Sequence, residues 1–597
     1  MNINVDFLIL GLTGPLGAGC TTLGRMIERV KPSILIKRKK LYESVLEQMQ
    51  ELSRKMESIN DDIELKQLHK RLMNCYKERA CLEVLRRVND PAFVYISMSA
   101  LIVKLAVDCV STPEFEAWEQ ENTELGGLLR GFKSKWNEVI IKYDSNEKTY
   151  HCLGNEDLEK IDEMFMELNK LRTTIVGKEL ELFFNHSIDE FHLQTFGDNL
   201  RLTGNAFSNS SSQPISQENL SIVAREVNRL IKYYRNRNDN KQASCFVVDA
   251  FRNPSEVEFF RRYDQFFLIS IYASELTRRQ RTERILSGKN YDRENFVSLF
   301  RSIDERDWGA NNKLKDLHKQ NVARCYYLAD IAINNDDDST DFDFRLFKNF
   351  LKYFALIASP GCIQPTKEET YMNLAYSLSL RSTCISRKVG AVITDKAGYV
   401  LGLGWNDVAF GQVGCGLRQK RDFKATFDSL FSIDVLKKAI VDQDLAAFDD
   451  HESFCFKDVL SEKKIKDKLD ALELKQDVKD KILKTLKVKR LEYCRALHAE
   501  ENALLQVAAR GGMGVRGGEI YTTTFPCELC AKKIYQSGIR RIYYTEPYPN
   551  SISEDVFLND GIRNIETRQF EGVKSLSYFK LYKSNYDKKE AQELEDV

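Results

Sequence analysis

The sequence predicts an α/β fold in two modules. Short apolar runs alternate with helical segments in the first half, which is typical of a parallel sheet with helices on both faces. The stretch "SPGCIQPT", 359–366, contains two prolines and a glycine and marks a domain boundary. Each side of this boundary carries its own motif: a glycine-rich loop that begins at residue 14, and a His/Glu/Cys pattern over 498–530.

The composition is that of a globular protein. Of 597 residues, 43% are hydrophobic and 29% are charged, and 88 basic residues balance 88 acidic ones. A net charge of zero argues against a protein whose main task is to bind long nucleic acids. No apolar run approaches the ~20 residues that span a bilayer, and the 14 cysteines lack the framework of a secreted protein. We therefore expect a cytoplasmic protein with no membrane partner.

The N-terminal motif is a strand, a glycine-rich loop and a helix. "DFLILGL" predicts a buried strand and "TTLGRMIERV" predicts the helix. Gly14 and Gly19 have the G-x-x-x-x-G spacing of a loop whose backbone N–H groups bind phosphate. Cys20 stands where such loops have a lysine, so we expect nucleotide binding with poor phosphate transfer. The candidate nucleotide-binding residues are Gly14, Gly17, Gly19, Thr21 and Thr22.

Three later apolar runs, 245–249, 266–272 and 328–333, predict further strands of the same sheet. The first of them ends in Asp249, where a Mg²⁺-binding carboxylate would lie. A cluster after the second run has the character of a phosphate-facing lid; its members are Arg278, Arg279, Arg281 and Arg284.

These N-terminal features together resemble the P-loop nucleotide and nucleoside kinases. The resemblance implies a kinase-like parallel sheet over 1–358 that binds a nucleotide with Mg²⁺. A helical insertion at about 36–215 interrupts it, because apolar residues recur every three or four positions from Leu41 onward. The serine-rich stretch 205–217 is expected to be a loop.

The C-terminal motif combines "HAE", 498–500, with "PCELC", 526–530, in the order H-x-E…P-C-x-x-C of the zinc nucleobase deaminases. His498, Cys527 and Cys530 supply three ligands to Zn²⁺ and leave one position for water. Glu500 is the proton shuttle between water, the cytosine ring and the leaving ammonia. Either half of the motif alone is weak, but the two together on strand–helix units are specific.

The stretch "LRSTCISRKVGAVITDKAGYVLGLGWND" resembles the start of dCMP deaminase domains. The resemblance implies a cytidine-deaminase-like α/β/α domain over 366–580, with a charged insert at about 411–490 and a charged tail at 581–597. It also implies that Asn406 contacts the nucleotide sugar or base. Weaker candidates for the phosphate side are Arg381, Ser382 and Arg387. Asp407 departs from the glycine that ends the family's turn.

The insert raises the question of a second, structural zinc, which phage-type dCMP deaminases hold in a comparable insert. The residues that could form it are Cys415, His451, Cys455 and Cys494. Separate buried thiols and a surface histidine are the preferred interpretation.

The whole arrangement resembles the anti-phage dCTP deaminases. That resemblance implies depletion of dCTP during infection, a regulatory N-terminal module, a homo-oligomer and an inhibitory small RNA partner. Two alternatives stay open. One is a bifunctional kinase–deaminase of pyrimidine salvage, which would transfer phosphate from ATP. The other is a polynucleotide C-to-U editor, which would act on single-stranded DNA.

Overall fold

The structure is a computed structural model with two compact units. Unit 1 comprises Met1–Pro365 and Glu571–Val597, and unit 2 comprises Thr366–Phe570. The described residues are 3, 5–30, 41–59, 61–89, 91–138, 142–144, 149–151, 155–184, 191–209, 215–236, 243–287, 294–309, 316–336, 342–423, 445–446, 448–460, 469, 475, 478–479, 491–511, 514–547 and 551–584.

Unit 1 is built on a six-stranded sheet in the order β15-β7-β6-β1-β5-β2. Its strands are β1 (Leu8–Thr13), β2 (Phe93–Ser97), β5 (Cys245–Asp249), β6 (Phe266–Tyr272), β7 (Ile331–Asn334) and β15 (Gly572–Val573). A separate small ribbon pairs β3 (Lys142–Asp144) with β4 (Thr149–His151). The pairs among the first five sheet strands are parallel, and β1 and β5 are buried along their full lengths. The predicted parallel sheet is therefore present, as expected for continuous apolar runs covered on both faces.

Two edges of this sheet differ from the prediction. Strand β2 lies inside the region assigned to the helical insertion, yet it pairs in parallel with β5. Strand β15 pairs antiparallel with β7, Gly572 opposite Ala332. The compact unit 2 ends at Phe570, and the segment from Glu571 onward, which pairs with β7, is grouped with unit 1.

Helices cover the sheet of unit 1. The apolar residues that recur every three or four positions from Leu41 onward are buried as predicted; they are Leu41, Val45, Met49 and Leu52. These helices are α1 (Cys20–Arg29), α2 (Leu41–Glu57), α3 (Asp62–Arg87), α4 (Met98–Asp108), α5 (Pro113–Glu121), α6 (Thr123–Glu138), α7 (Asn155–Phe184), α8 (His192–Thr203), α9 (Gln217–Leu220), α10 (Ile222–Arg235), α11 (Pro254–Phe260), α12 (Glu275–Leu286), α13 (Phe296–Trp308), α14 (Val322–Leu328) and α15 (Phe342–Ala358). Of the predicted serine-rich loop, residues 210–214 lie outside the described residues.

Unit 2 is a five-stranded mixed sheet in the order β14-β13-β12-β8-β9. Its elements in chain order are α16 (Lys367–Ser379), β8 (Gly390–Thr394), β9 (Val400–Trp405), β10 (Asp407–Val408), β11 (Ala496–Leu497), α17 (Ala499–Ala509), β12 (Glu519–Thr524), α18 (Glu528–Ser537), β13 (Arg541–Glu546) and β14 (Glu566–Gln569). Strands β12, β13 and β14 run parallel, while β8 is antiparallel to both β12 and β9. The helix α19 (Tyr578–Tyr582) follows unit 2 in the chain and is the last helix in the described part of unit 1.

One glycine fixes how closely α17 approaches the sheet of unit 2. A Cβ on Gly404 in β9 would lie 2.0 Å from the carbonyl oxygen of Ala499, the first residue of α17. Only a residue without a side chain allows this contact. The start of α17 is therefore held against β9.

The charged insert is described only in part. A small apolar cluster includes Cys415, Leu445 and Phe454, while much of the predicted 411–490 segment lies outside the described residues. Within the part of the chain that the structure describes, no helix combines the length and apolarity needed to cross a membrane.

Candidate active site

The predicted zinc ligands lie at the N-termini of two neighbouring helices of unit 2. His498 is the N-cap of α17, directly after β11, and Cys527 is the N-cap of α18. Cys530 lies in the first turn of α18 and is 1% exposed. The prediction that both segments open helices is confirmed. Helix N-termini favour anionic thiolates, because the backbone N–H groups there carry partial positive charge.

The ligand atoms converge on one point. The Sγ of Cys527 lies 3.2 Å from Nδ1 of His498, and the Sγ of Cys530 lies 3.4 Å from the same nitrogen. Among the described residues, these three side chains form the single group of three metal-ligating types whose donor atoms all lie within 4.8 Å of one another. One imidazole and two thiols match the donor set of a catalytic Zn²⁺ site with one position left open. The residues present therefore fit zinc.

Glu500 lies beside this group. Its Oε2 is 3.6 Å from the Sγ of Cys530, and the residue is 4% exposed. Burial raises the pKa of its carboxyl above the usual value, because a low-dielectric site disfavours the charged form. A raised pKa makes a carboxyl a better proton acceptor once it is ionised, which suits a general base.

Hydrogen bonds within the site shift the pKa values of the two ligand cysteines in opposite directions. The pKa of Cys527 is lowered to about 4, first by the hydrogen bond from Cys530 and then by His498. The pKa of Cys530 is raised, because it donates to Cys527 and is buried. The thiol of Cys527 is therefore the more readily deprotonated of the two. The sulfur of Cys527 is thus prepared to ligate a cation.

Cys494 lies just before the active-site helix, as the sequence indicates. It hydrogen-bonds to His498, and this bond is the first cause that raises the pKa of His498 to about 11. Cys415, His451, Cys455 and Cys494 do not form a further metal group within the described part of the insert. The sequence signal for the Cys494 contact was its position two residues before β11, which leads directly into His498.

Asn406 and Ser382 connect two loops of unit 2. The Oδ1 of Asn406 accepts from the Val389 N–H at 2.7 Å, and its Nδ2 donates to the Arg387 carbonyl at 2.7 Å. Ser382 donates to the Asn406 carbonyl at 2.6 Å. Both residues are nearly buried, at 7% and 4% exposed. They fix the backbone around 387–389, a role that the motif did not reveal.

The two candidate arginines are more accessible. The guanidinium of Arg381 lies 4.0 Å above the ring of Trp405. The guanidinium of Arg387 lies 3.9 Å from Oε2 of Glu546, and its side chain is 42% exposed. Arg387 is part of the loop that Asn406 holds, and Arg381 is the residue directly before Ser382. Glu501, next to Glu500, forms an ion pair with Lys533, as befits an ordinary helix residue.

In unit 1 the glycine-rich loop connects β1 to α1. Gly17 and Gly19 have φ of 78° and 111°, which only glycine adopts without strain. Thr21 donates to Oδ2 of Asp249 at 2.7 Å, as does the hydroxyl of Tyr95 in β2. Asp249 therefore lies at the loop, as the sequence predicted.

The arginines interpreted as a lid lie against the glycine-rich loop. Arg278 pairs with Asp304 and donates to the Leu16 carbonyl, and Arg281 donates to the Gly17 carbonyl at 3.1 Å. Both are buried, at 5% and 9% exposed. Arg281 and Arg284 line the same cavity as the glycine-rich loop, so the prediction that this cluster faces a phosphate stays a prediction.

Comparisons with known proteins concern mainly unit 2. Residues 365–546 match the family described as the cytidine and deoxycytidylate deaminase zinc-binding region. The deoxycytidylate deaminase of Enterobacteria phage T4 is 30% identical over 200 residues, 33% of this chain and 87% of that protein. The deoxycytidylate deaminase of Schizosaccharomyces pombe is 24% identical over 327 residues, 55% of this chain and 76% of that protein. Among solved structures, the dCMP deaminase of cyanophage S-TIM5 in complex with dCMP and dUMP is 22% identical and covers 35% of this chain and 99% of that chain, with a TM-score of 0.21.

Proposed function

The chain belongs to the deoxycytidylate deaminase family through its C-terminal part, and we propose that it is a zinc-dependent hydrolytic deaminase of deoxycytidine nucleotides, dCTP and/or dCMP. The observation that carries the proposal is the convergence of His498, Cys527 and Cys530 with the buried Glu500 beside them. The products are the corresponding deoxyuridine nucleotides and ammonia.

The reaction replaces the amino group at C4 of cytosine by oxygen from water. Bound Zn²⁺ supplies the Lewis acidity that makes water a usable nucleophile at neutral pH. Glu500 accepts a proton from the attacking water and delivers protons to N3 and then to the departing ammonia. Its burial excludes bulk water that would otherwise compete for these protons.

Substrate recognition is proposed for the loop around 387–389. Asn406 and Ser382 hold the loop through the hydrogen bonds described above, and Asn406 contacts the sugar or base. Arg381 and Arg387 supply positive charge for the phosphates. The stacked position of Arg381 on Trp405 keeps its planar guanidinium oriented.

For the cell, we propose an anti-phage role in which deamination depletes dCTP. The glycine-rich loop of unit 1 supports a regulatory module that binds a nucleotide with Mg²⁺ at Asp249. A homo-oligomer and an inhibitory small RNA are proposed on family resemblance. The bifunctional kinase and the polynucleotide editor remain the competing proposals. Cys20 stands where phosphate-binding loops have a lysine, which argues against the kinase.

Nucleotide profiling tests the proposal. Zinc-loaded protein is incubated separately with dCTP, dCMP, deoxycytidine, CTP and single-stranded DNA, while ammonia and product masses are followed. We expect turnover of dCTP or dCMP and none of DNA. Turnover of DNA alone would favour the editor, and phosphate transfer from ATP would favour the kinase.

A further inference from the structure

Two thiols from distant parts of the sequence meet in unit 1. Cys81 belongs to α3, and Cys362 lies in the segment 359–365, which we call the boundary segment because unit 2 begins at the next residue, Thr366. Both cysteines are in the thiol form. The thiol of Cys81 forms a hydrogen bond with the sulfur of Cys362. The structure thus brings a pair of sulfurs together outside the zinc site.

Helix α3 holds the boundary segment through a second contact on the same face. Lys77 lies four residues before Cys81, so the two side chains are neighbours on the helix surface. The Nζ of Lys77 donates to the Gln364 carbonyl at 3.3 Å. Glu78 pairs at 2.7 Å with Lys348 of α15, the helix that leads into the boundary segment. The meeting of the two sulfurs is therefore supported by polar contacts on either side of it.

The boundary segment is also fixed by the chain that returns from unit 2. The Gly361 N–H donates to the Leu581 carbonyl at 2.9 Å. A Cβ on Gly361 would lie 3.0 Å from the backbone nitrogen of Ser584, so the two backbones are closely packed. Cys81 and Ile363 are both 4% exposed and belong to one apolar cluster, against which Cys362 packs. Cys362 is thus held beside Cys81 by its neighbours on both sides in the sequence.

The two thiols differ in exposure and in acidity. Cys81 is buried, whereas Cys362 is half-buried. The hydrogen bond with Cys362, and then burial, raise the pKa of the Cys81 thiol well above its usual value, so Cys81 keeps its proton. An S–H group that donates to a second sulfur stabilises a thiolate there, and the thiolate is the form that oxidants attack. Cys362 is therefore the sulfur that an oxidant reaches, and Cys81 is the thiol beside it that can resolve the product.

We propose that Cys81 and Cys362 form a redox modification site, at which a peroxide converts the thiol pair to a disulfide that joins the boundary segment to α3. The Cys362 thiolate attacks the O–O bond of hydrogen peroxide, which gives a sulfenic acid and hydroxide. The hydroxide takes up the proton that Cys362 lost. The Cys81 sulfur then forms the S–S bond, and its proton leaves with the sulfenic hydroxyl as water. Two thiols are oxidised, one peroxide is reduced to two waters, and a thiol reductant restores the pair.

Disulfide mapping on the full chain tests the proposal. Reduced, zinc-loaded protein is treated with hydrogen peroxide, remaining thiols are alkylated, and a digest made without reductant is analysed by mass spectrometry. We expect a peptide that links Cys81 to Cys362 and disappears on treatment with dithiothreitol. It should be at least about tenfold more abundant than any disulfide of Cys75, because contact raises the effective concentration of the second thiol. Cys75 is a buried thiol of the same helix, and its sulfur lies 4.0 Å from Oε1 of Gln48.

Two variants separate the roles of the sulfurs. In Cys81→Ser the resolving thiol is lost, so Cys362 should accumulate as sulfenic acid, which dimedone traps, and then as sulfinic acid. Cys75→Ser is the matched control and should give the linked peptide in the wild-type yield. Absence of the peptide from peroxide-treated wild type would overturn the proposal, as would disulfides of Cys362 with other cysteines in equal amount. The wild-type measurement depends on no variant, so a variant that fails to fold leaves the test intact.

Discussion

Substitution of Gly404 by alanine would separate the catalytic helix from its sheet. The new Cβ would lie 2.0 Å from the Ala499 carbonyl oxygen, whereas C···O contacts are normally no shorter than about 3.3 Å. The first turn of α17, which follows His498 and carries Glu500, must therefore shift by about 1.3 Å. Misplacement of catalytic groups by ~1 Å lowers rates by about 100-fold, and overpacking costs about 1–3 kcal/mol of unfolding free energy.

The assay is kcat/KM for dCMP or dCTP deamination, with zinc content and thermal unfolding measured on the same protein. Gly131→Ala is the control, because nothing lies within 4 Å of its added Cβ on helix α6 and alanine is the better helix former. Gly404→Ala with wild-type activity and stability would refute the position that we assign to α17.

The remaining predictions concern the proton shuttle, the metal and one buried carboxylate. Glu500→Ala should retain zinc but lose deamination by about 10³-fold or more, because one group serves several proton transfers. Appreciable turnover in the zinc-loaded variant would contradict the role of Glu500 as proton shuttle. Cys530→Ser should lower zinc content by metal analysis, and normal zinc occupancy would argue against this ligand. Glu179, whose pKa burial raises to about 7, favours the folded state only when protonated. Ionisation of Glu179 should therefore lower the free energy of unfolding. This loss should be absent below about pH 4.5 and reach about 3 kcal/mol by pH 7. Chemical unfolding of Glu179→Gln without added nucleotide should lack this loss, and identical pH profiles of the two proteins would contradict the assignment.

The zinc group could be predicted from the sequence because its signal is local. His498 and Glu500 are two residues apart, Cys527 and Cys530 are three apart, and each pair begins a helix that follows a strand. The parallel core of unit 1 was predictable for a related reason, since strands buried on both faces are continuous apolar runs.

The missed features depend on distant partners. Strand β2 has the aromatic and β-branched composition of a strand, but it lies among the helices of the predicted insertion, and its pairing of Phe93 with Cys245 joins distant segments of the chain. Strand β15 pairs with a segment some 240 residues earlier. A cluster of arginines does not reveal its acceptors, and Arg278 and Arg281 donate to carbonyls of the glycine-rich loop. The Asn406 amide likewise supports a loop through contacts that the motif does not encode.

The most direct test of the central claim is a mass-spectrometric assay of zinc-loaded protein with dCTP and dCMP, run beside Glu500→Ala. We predict conversion of at least one of them to its deoxyuridine counterpart with an equimolar release of ammonia, abolished in the variant. Zinc-loaded protein that converts neither nucleotide, or a Glu500→Ala protein that converts them as fast as wild type, would contradict the account.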